Sequence, residues 1–336
     1  MQGQIQTLVK SIMPNGSTSM NADVVQEIMV TALKAAQSHI SRLDLKILSR
    51  AVRELRYAFK IFRGYRDIRK VTIFGSARTK TNHLAYKTAK DFAKKITARG
   101  YMAITGAGPG IMQAGNEGSL PNKSFGINIR LPFEQYPNKF IAHQPTYIDC
   151  RYFFTRKLVF VKETNAVVVF PGGLGTLDEA FEVLTLVQTG KSDPMPIVFV
   201  DSPKGTMWDS LHSFLKNRLL RLKMISKEDL SLYRIVDNAN EAVKEIMRFY
   251  SNYHSIRYVK DSLVIRIHNV LSERQLRYIN HHFRDILSSG SFRASGPLKE
   301  EENQPEIAHL PRLIGKFNRV NNGRLRELID YLNRSE

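Results

Sequence analysis

Two kinds of apolar spacing divide the chain. Over residues 21–62 apolar side chains recur every three or four positions. Val25, Ile28, Met29, Ala32 and Ala36 make one stripe, and Leu48, Val52, Leu55, Phe59 and Phe62 make another. That period predicts two amphipathic helices. From Val71 the pattern changes to short apolar runs alternating with longer amphipathic segments, as βαβ units around a buried parallel sheet require. Strands are predicted at 71–75, 101–105, 125–129, 166–170, 196–200 and 233–237, with a further short one at 146–149. Helices fit between them at about 83–99, 110–118, 151–163, 176–189, 207–221 and 239–252, two of them stopped by Gly100 and Gly190. The fold class that follows is α/β, a doubly wound, Rossmann-like, mostly parallel sheet of six or seven strands.

Beyond His254 the spacing changes again. A strand-like SLVIRI, a helix over 272–287, a polar stretch SSGSFRASGPLKEEENQPE with the character of a mobile surface insertion, and a last helix near 321–333 describe a small α+β extension. The expected division is an N-terminal helical extension over 1–67, a Rossmann-like nucleotide-binding catalytic domain over 68–253, and a C-terminal extension over 254–336 concerned with regulation or assembly. No internal repeat or heptad pattern runs through any of them.

Composition narrows the class of protein. With 336 residues and 43% hydrophobic content the chain has material for a sizeable core. A lone cysteine, Cys150, cannot form an intramolecular disulfide, and the first residues lack the charged start and long apolar run of a signal peptide. No stretch reaches the roughly 18 uninterrupted apolar residues of a membrane span. A soluble protein of a reducing cytoplasm is expected, with no membrane partner. The net charge is +19, concentrated in residues 41–70, where ten Lys/Arg face three acids. Arg42, Lys46, Arg50, Arg53 and Lys60 fall off the apolar stripe of their helix and form either a solvated face or a surface for polyanions. Specific recognition of nucleic acid is not expected.

Candidate chemistry lies in three turns at the carboxyl ends of predicted strands, where an open parallel sheet gathers its ligands. FGSAR carries Ser76, TGAGPG carries Gly106, Gly108 and Gly110, and PGGLGT carries Gly172, Gly173, Gly175 and Thr176. Glycine lets backbone approach an anion without a Cβ in the way, and the following helix N-terminus adds partial positive charge. Neither glycine loop spells G-x-G-x-x-G, no acid ends the second strand to hold a ribose diol, and no P-loop is present. The cradle therefore suits a single phosphate group. Thr176 and Glu179 have the spacing of a capping box, so Glu179 either closes a helix start or stands beside a bound anion. Arg156 and Lys157, among apolar neighbours in RYFFTRKLVFV, are either surface basics or part of the same constellation. No clustered His/Cys spacing predicts a metal, and no cofactor is expected.

PGGLGTLDE resembles the PGGxGTxxE motif of the lonely guy (LOG) family, and an RK pair begins 23 residues before its glutamate, as in that family. FGSAR and GAGPGIMQAGNEG are similar to further family segments, so the likeness covers about residues 68–205. Such proteins often carry a lysine decarboxylase label, yet nothing in this chain singles out a Schiff-base lysine beside a pyridoxal phosphate site. The resemblance implies hydrolysis of the N-glycosidic bond of a nucleoside 5′-monophosphate, giving free base and ribose 5-phosphate. It implies Arg156 and Glu179 as the catalytic pair, and Lys157, Gly172 to Thr176, Thr185 and Glu134 as substrate-binding positions. It also implies a homodimer or larger homo-oligomer, with the helix over 151–163 as a contact surface. Both extensions depart from the short plant type, which leaves cytokinin nucleotides and general purine or pyrimidine monophosphates open as substrates. A non-catalytic nucleotide sensor is the alternative from another class.

Overall fold

In the computed structural model, residues 2–12, 21–132, 136–201 and 205–334 are described. They fall into two compact units, Met1–Tyr57 and Ala58–Glu336. The smaller unit holds α1 (Gln2–Ile12), α2 (Ala22–Gln37) and most of α3 (Arg42–Phe62). The stripe read over 25–36 does sit on one helix, but α2 buries none of its residues, and Val24, Ile28 and Leu33 stay exposed.

The larger unit begins with the last residues of α3 and continues β1 (Lys70–Phe74), α4 (Leu84–Ala98), β2 (Met102–Thr105), α5 (Ile111–Gly118), β3 (Ser124–Ile129), β4 (Tyr147–Cys150), α6 (Phe153–Glu163), β5 (Ala166–Val169), α7 (Leu174–Gln188), β6 (Ile197–Val200), α8 (Met207–Phe214), β7 (Tyr233–Val236) and α9 (Ala239–Phe249). All seven strands pair in parallel in the order β4-β3-β2-β1-β5-β6-β7. The central strands are buried along their whole length, which is why they read as unbroken apolar runs. Successive side chains point to opposite faces. Val71, Ile73, Ala103 and Val168 pack on one side with Phe92 and Ile96 of α4, Ile111 of α5 and Ile246 of α9. On the other side Phe74 meets Phe160 of α6 edge-on, Phe62 of α3 stacks on Phe125, and Phe199 meets Trp208 of α8. The helix read over 207–221 is α-helical to Phe214 and then widens into π turns over Leu215–Leu220.

A second sheet follows: β8 (Tyr253–Val259), β9 (Ser262–Ile267), α10 (Glu273–His282), β10 (Leu287–Ser295), β11 (Arg312–Phe317) and α11 (Asn322–Leu332), with the strands antiparallel in the order β10-β11-β9-β8. Here the sequence expectation needs correction. The helix over 272–287 ends at His282, and the polar stretch is no loose insertion. Its first part is β10, paired with β11, and Glu301 within it is buried between Arg266 at 2.6 Å and Arg312 at 3.1 Å. β10 buries only Phe292, so its composition stays polar, and the charge of Glu301 is matched by arginines from two other strands.

The two sheets are tied together by α9 and α11. Arg326 of α11 is buried and donates to Glu245 of α9 at 2.8 Å and to Asp330 at 3.1 Å. The Asn333 side chain accepts from the backbone N–H groups of Asn252 and Tyr253 at 2.9 and 2.8 Å, and donates to the Phe249 carbonyl at 2.6 Å. Among the described residues no helix is long and apolar enough to cross a membrane, and no group of three or more His, Cys, Asp or Glu side chains could hold a metal ion.

Candidate active site

The turns after β1, β2 and β5 interlock at the carboxyl edge of the parallel sheet. Ser76 donates its backbone N–H to the Pro171 carbonyl at 3.1 Å and accepts the N–H of Ile111 at 3.0 Å, so one residue joins all three turns. Packing at this junction requires glycine. A Cβ on Gly110, whose φ is +66°, would lie 2.2 Å from the Ser76 carbonyl oxygen. One on Gly172 would lie 2.1 Å from Thr176 Oγ1, and one on Gly106 would lie 2.3 Å from Arg156 Nη2. Gly173 and Gly175 differ, because a Cβ there would meet nothing within 4 Å. Close packing thus explains the first three glycines, while the last two present bare backbone to open space at the start of α7.

That helix begins at Leu174, with Gly173 as its N-cap and no side-chain cap, two residues earlier than the sequence suggests. Thr176 is therefore inside the first turn, its N–H bonded to the Gly173 carbonyl at 3.0 Å, and the capping box it would form with Glu179 is not made. Glu179 instead turns inward and is 7% exposed. Arg156 of α6 is also buried, with Nε donating to the Ile127 carbonyl at 2.8 Å, Nη2 donating to the Gly106 carbonyl at 3.4 Å, and its guanidinium 5.0 Å over the Phe160 ring. Both backbone acceptors fix the direction of the guanidinium, and among the described residues no carboxylate makes direct contact with it.

The electrostatics follow from burial. Desolvation raises the pKa of Glu179, and Lys157 and Arg156 only partly oppose it. Desolvation likewise lowers that of Arg156, with Glu179 pulling the other way. Lys157 shows the reverse balance. Burial would lower its pKa, but hydrogen bonds to Glu182 and Asp178 outweigh it and hold the ammonium charged. Its Nζ lies 2.7 Å from Glu182, 2.9 Å from Asp178 and 3.3 Å from Glu179.

A cleft of about 660 Å³ opens at this edge. Of the residues singled out in the sequence, it brings together Ser76, Gly106, Arg156, Gly173, Gly175, Thr176 and Glu179. Gly110 and Gly172 stand behind its wall as packing positions. Gly108 is buried there too, its carbonyl accepting from Asn138. Lys157 is not on the lining and reaches Glu179 from the far side. Thr185 is exposed further along α7, and Glu134 lies outside the described residues. The lining also contains Arg78, Met112, Leu131, Phe153 and Asp178, which were not singled out. Arg78 and Asp178 stood inside the quoted motifs; the apolar three carry no signal distinct from core residues. Asn138 was missed as well. Its amide donates to the carbonyls of Ala107 at 2.9 Å and Gly108 at 3.1 Å, holding the second turn in shape.

Comparison with known proteins adds the following. The family described as "Possible lysine decarboxylase" matches residues 107–246. The cytokinin riboside 5′-monophosphate phosphoribohydrolase of Mycobacterium tuberculosis is 38% identical over 89 residues, which are 26% of this chain and 46% of that protein. The chain thus spans less than half the length of this curated relative. Among solved structures, the molybdenum cofactor binding protein of Rippkaea orientalis aligns with a TM-score of 0.38 and 16% identity over 53% of this chain and 94% of its own. The Moco carrier protein of Chlamydomonas reinhardtii gives 0.37 and 18% over 54% and 98%.

Proposed function

We propose that the chain, which resembles the lonely guy family in its motifs and in the proteins it matches, hydrolyses the N-glycosidic bond of a nucleoside 5′-monophosphate, releasing the free base and ribose 5-phosphate. The observation that carries this reading is the placement of a buried carboxylate, Glu179, and a buried guanidinium, Arg156, in one cleft whose rim is the open backbone of Gly173 and Gly175. In this reading the phosphate rests on the first turn of α7 and fixes the sugar, so that binding of a non-reacting group orients the reacting one.

The chemistry asks for little more. As the C1′–N bond breaks, its electron pair leaves with the base and positive charge grows on the sugar, which Glu179 stabilises while it takes a proton from the attacking water. The water oxygen forms the new bond to C1′, and the proton that Glu179 took passes on to the departing base, which returns Glu179 to its ionised form. Arg156, held by two backbone carbonyls, offsets negative charge on the departing base or on the ribose hydroxyls. A burial-raised pKa makes Glu179 a stronger base than an ordinary glutamate once it is ionised. The decarboxylase label of the family suits the site poorly. A Schiff-base lysine needs a depressed pKa, and three carboxylates hold the Lys157 ammonium protonated.

Incubation with AMP, GMP, CMP, UMP and a cytokinin riboside monophosphate, followed by assay of ribose 5-phosphate, tests the reading and ranks the bases. Equal release by wild type and Glu179→Ala overturns it and leaves a nucleotide-binding protein without turnover. We extend the proposal to self-association through α6, where Phe153, Phe154 and Leu158 are about half exposed. A fully active monomer by light scattering removes that part alone.

A further inference from the structure

A second cavity, of about 730 Å³, opens at the opposite edge of the parallel sheet. Its floor lies where the chain enters three strands: Arg69 precedes β1, Asn165 precedes β5, and Asp193 comes just before β6. One wall is formed by α6 and α7 through Phe154, Lys157 and Glu182, and the other by Tyr250, Tyr253 and His254 at the entry to the second sheet.

Four cations line this cavity, Arg69, Lys157, Lys162 and Lys191, against the carboxyls of Glu182 and Asp193. The Arg69 guanidinium lies 3.9 Å over the Tyr250 ring. Lys191, exposed, lines the same cavity, and among the described residues neither Arg69 nor Lys191 has an ion-pair partner. His254 registers the same excess. Burial first, and then Arg69, His268, Arg266 and His309, push its pKa down to about 4. At neutral pH it is an uncharged hydrogen-bonding ring, with Nδ1 2.8 Å from Ser255 Oγ. Asp193 also lines the cavity; its surface is exposed, and the protein packed around its carboxyl pushes the pKa upward with no cation opposing it. A guanidinium, an ammonium and a neutral imidazole around an open space suit a tetrahedral, multiply charged oxyanion better than a flat carboxylate. The volume is that of a small-molecule site, which runs from about 300 to 1,000 Å³.

The two cavities share one side chain. Lys157 lines this one, and its Nζ lies 3.3 Å from Glu179, which lines the other. We propose that the second cavity is a regulatory site for a phosphorylated small molecule held by Arg69 and Lys191, and that its occupancy reaches the catalytic cleft through Lys157. A phosphate that reaches Lys157 competes with Glu182, Asp178 and Glu179 for the ammonium, and as Glu179 is the most distant of the three it is the first to lose this neighbour, which favours its ionised form, so turnover falls. Phe154, Lys157, Leu158, Val161 and Lys162 of α6 line this cavity as well, so a partner closed over that helix would complete its wall. The binding half of the proposal is independent of the hydrolase reading; the inhibitory half rests on it.

Calorimetric titration of pyrophosphate and of ATP into wild type, Lys191→Glu, Arg69→Gln and Glu179→Gln tests the site without requiring turnover. Saturable binding is expected in wild type and in Glu179→Gln, weakened about tenfold or more by Lys191→Glu or by Arg69→Gln. Lys191 is exposed, so its variant folds even where Arg69→Gln does not. Binding untouched by both changes, or no binding of either probe at millimolar concentration, overturns the site. Pyrophosphate is further expected to slow AMP hydrolysis by wild type and to leave Lys191→Glu unaffected. Equal inhibition of the two proteins overturns communication through this cavity. Absence of hydrolysis in every protein counts against the hydrolase reading, and the calorimetry still decides the site.

Discussion

Glu179 and Glu301 are both buried glutamates with two cations near them, and their surroundings drive them in opposite directions. Both oxygens of Glu301 are fully engaged: Oε1 accepts from Arg266 Nε at 2.9 Å and Nη2 at 2.6 Å, and Oε2 accepts from Arg312 Nε and the Leu298 N–H, each at 3.1 Å. Burial would raise its pKa, but these donors outweigh burial and the pKa is lowered. Glu179 is approached by Lys157 at 3.3 Å, while Arg156 spends its donors on backbone carbonyls, and burial prevails. Two nearby cations do not by themselves stabilise a buried carboxylate; the direct donors do. The carboxylate left short of them is the one that opens on a cleft.

Neutralising each glutamate separates the two roles. Glu179→Gln is expected to lower kcat for nucleotide hydrolysis by about 10²–10⁴-fold. Its folded-state pKa is raised, so wild type loses stability as pH climbs from the unfolded to the folded value; the variant lacks that loss and melts no lower at neutral pH. Glu301→Gln is expected to cost about 3–5 kcal/mol of stability in denaturant unfolding, because two buried arginines lose their partner. Its folded pKa is depressed, so in wild type this stability is present above the unfolded pKa and fades as pH falls through the folded one. The Glu301 variant is flat through that acidic window and keeps its kcat per folded molecule. A Glu301→Gln protein as stable as wild type would erase the distinction.

A smaller contrast lies within one turn. Gly172→Ala drives a Cβ to 2.1 Å from Thr176 Oγ1 and 2.9 Å from the Ser76 nitrogen, and is expected to destabilise by about 1–3 kcal/mol. Gly173→Ala meets nothing within 4 Å, so it melts like wild type and instead raises KM by about tenfold, since its methyl occupies phosphate space. The smallest effect is expected for Lys157→Met. Removing the cation that favours ionised Glu179 moves the acidic limb of the pH–rate profile upward, and a downward or absent shift would contradict the role given to Lys157.

The same contrast explains what the sequence made visible. Central parallel strands are apolar on both faces, so VTIF, AVVV and IVFV stood out to within a residue or two. β10 buries Phe292 alone, and β11 carries Arg312, whose burial depends on Glu301 eleven positions away and on a different segment. No periodicity expresses that pairing. In the site, the resemblance to the lonely guy motifs marked Arg156 and Glu179, which stand on two different helices, α6 and α7, with β5 between them. Spacing could not separate Gly172 from Gly173, nor tell that Lys157 approaches from behind, nor that Asn138 shapes a turn some thirty residues upstream. Those facts depend on what stands opposite in space.

Asn333 has a practical consequence for anyone handling the protein. A single amide near the last described residue takes up two N–H groups at the entry to the second sheet and covers the Phe249 carbonyl. Trimming the chain before it, or crowding it with a fused tag, would uncover polar backbone in an apolar setting and unlatch the smaller sheet from α9.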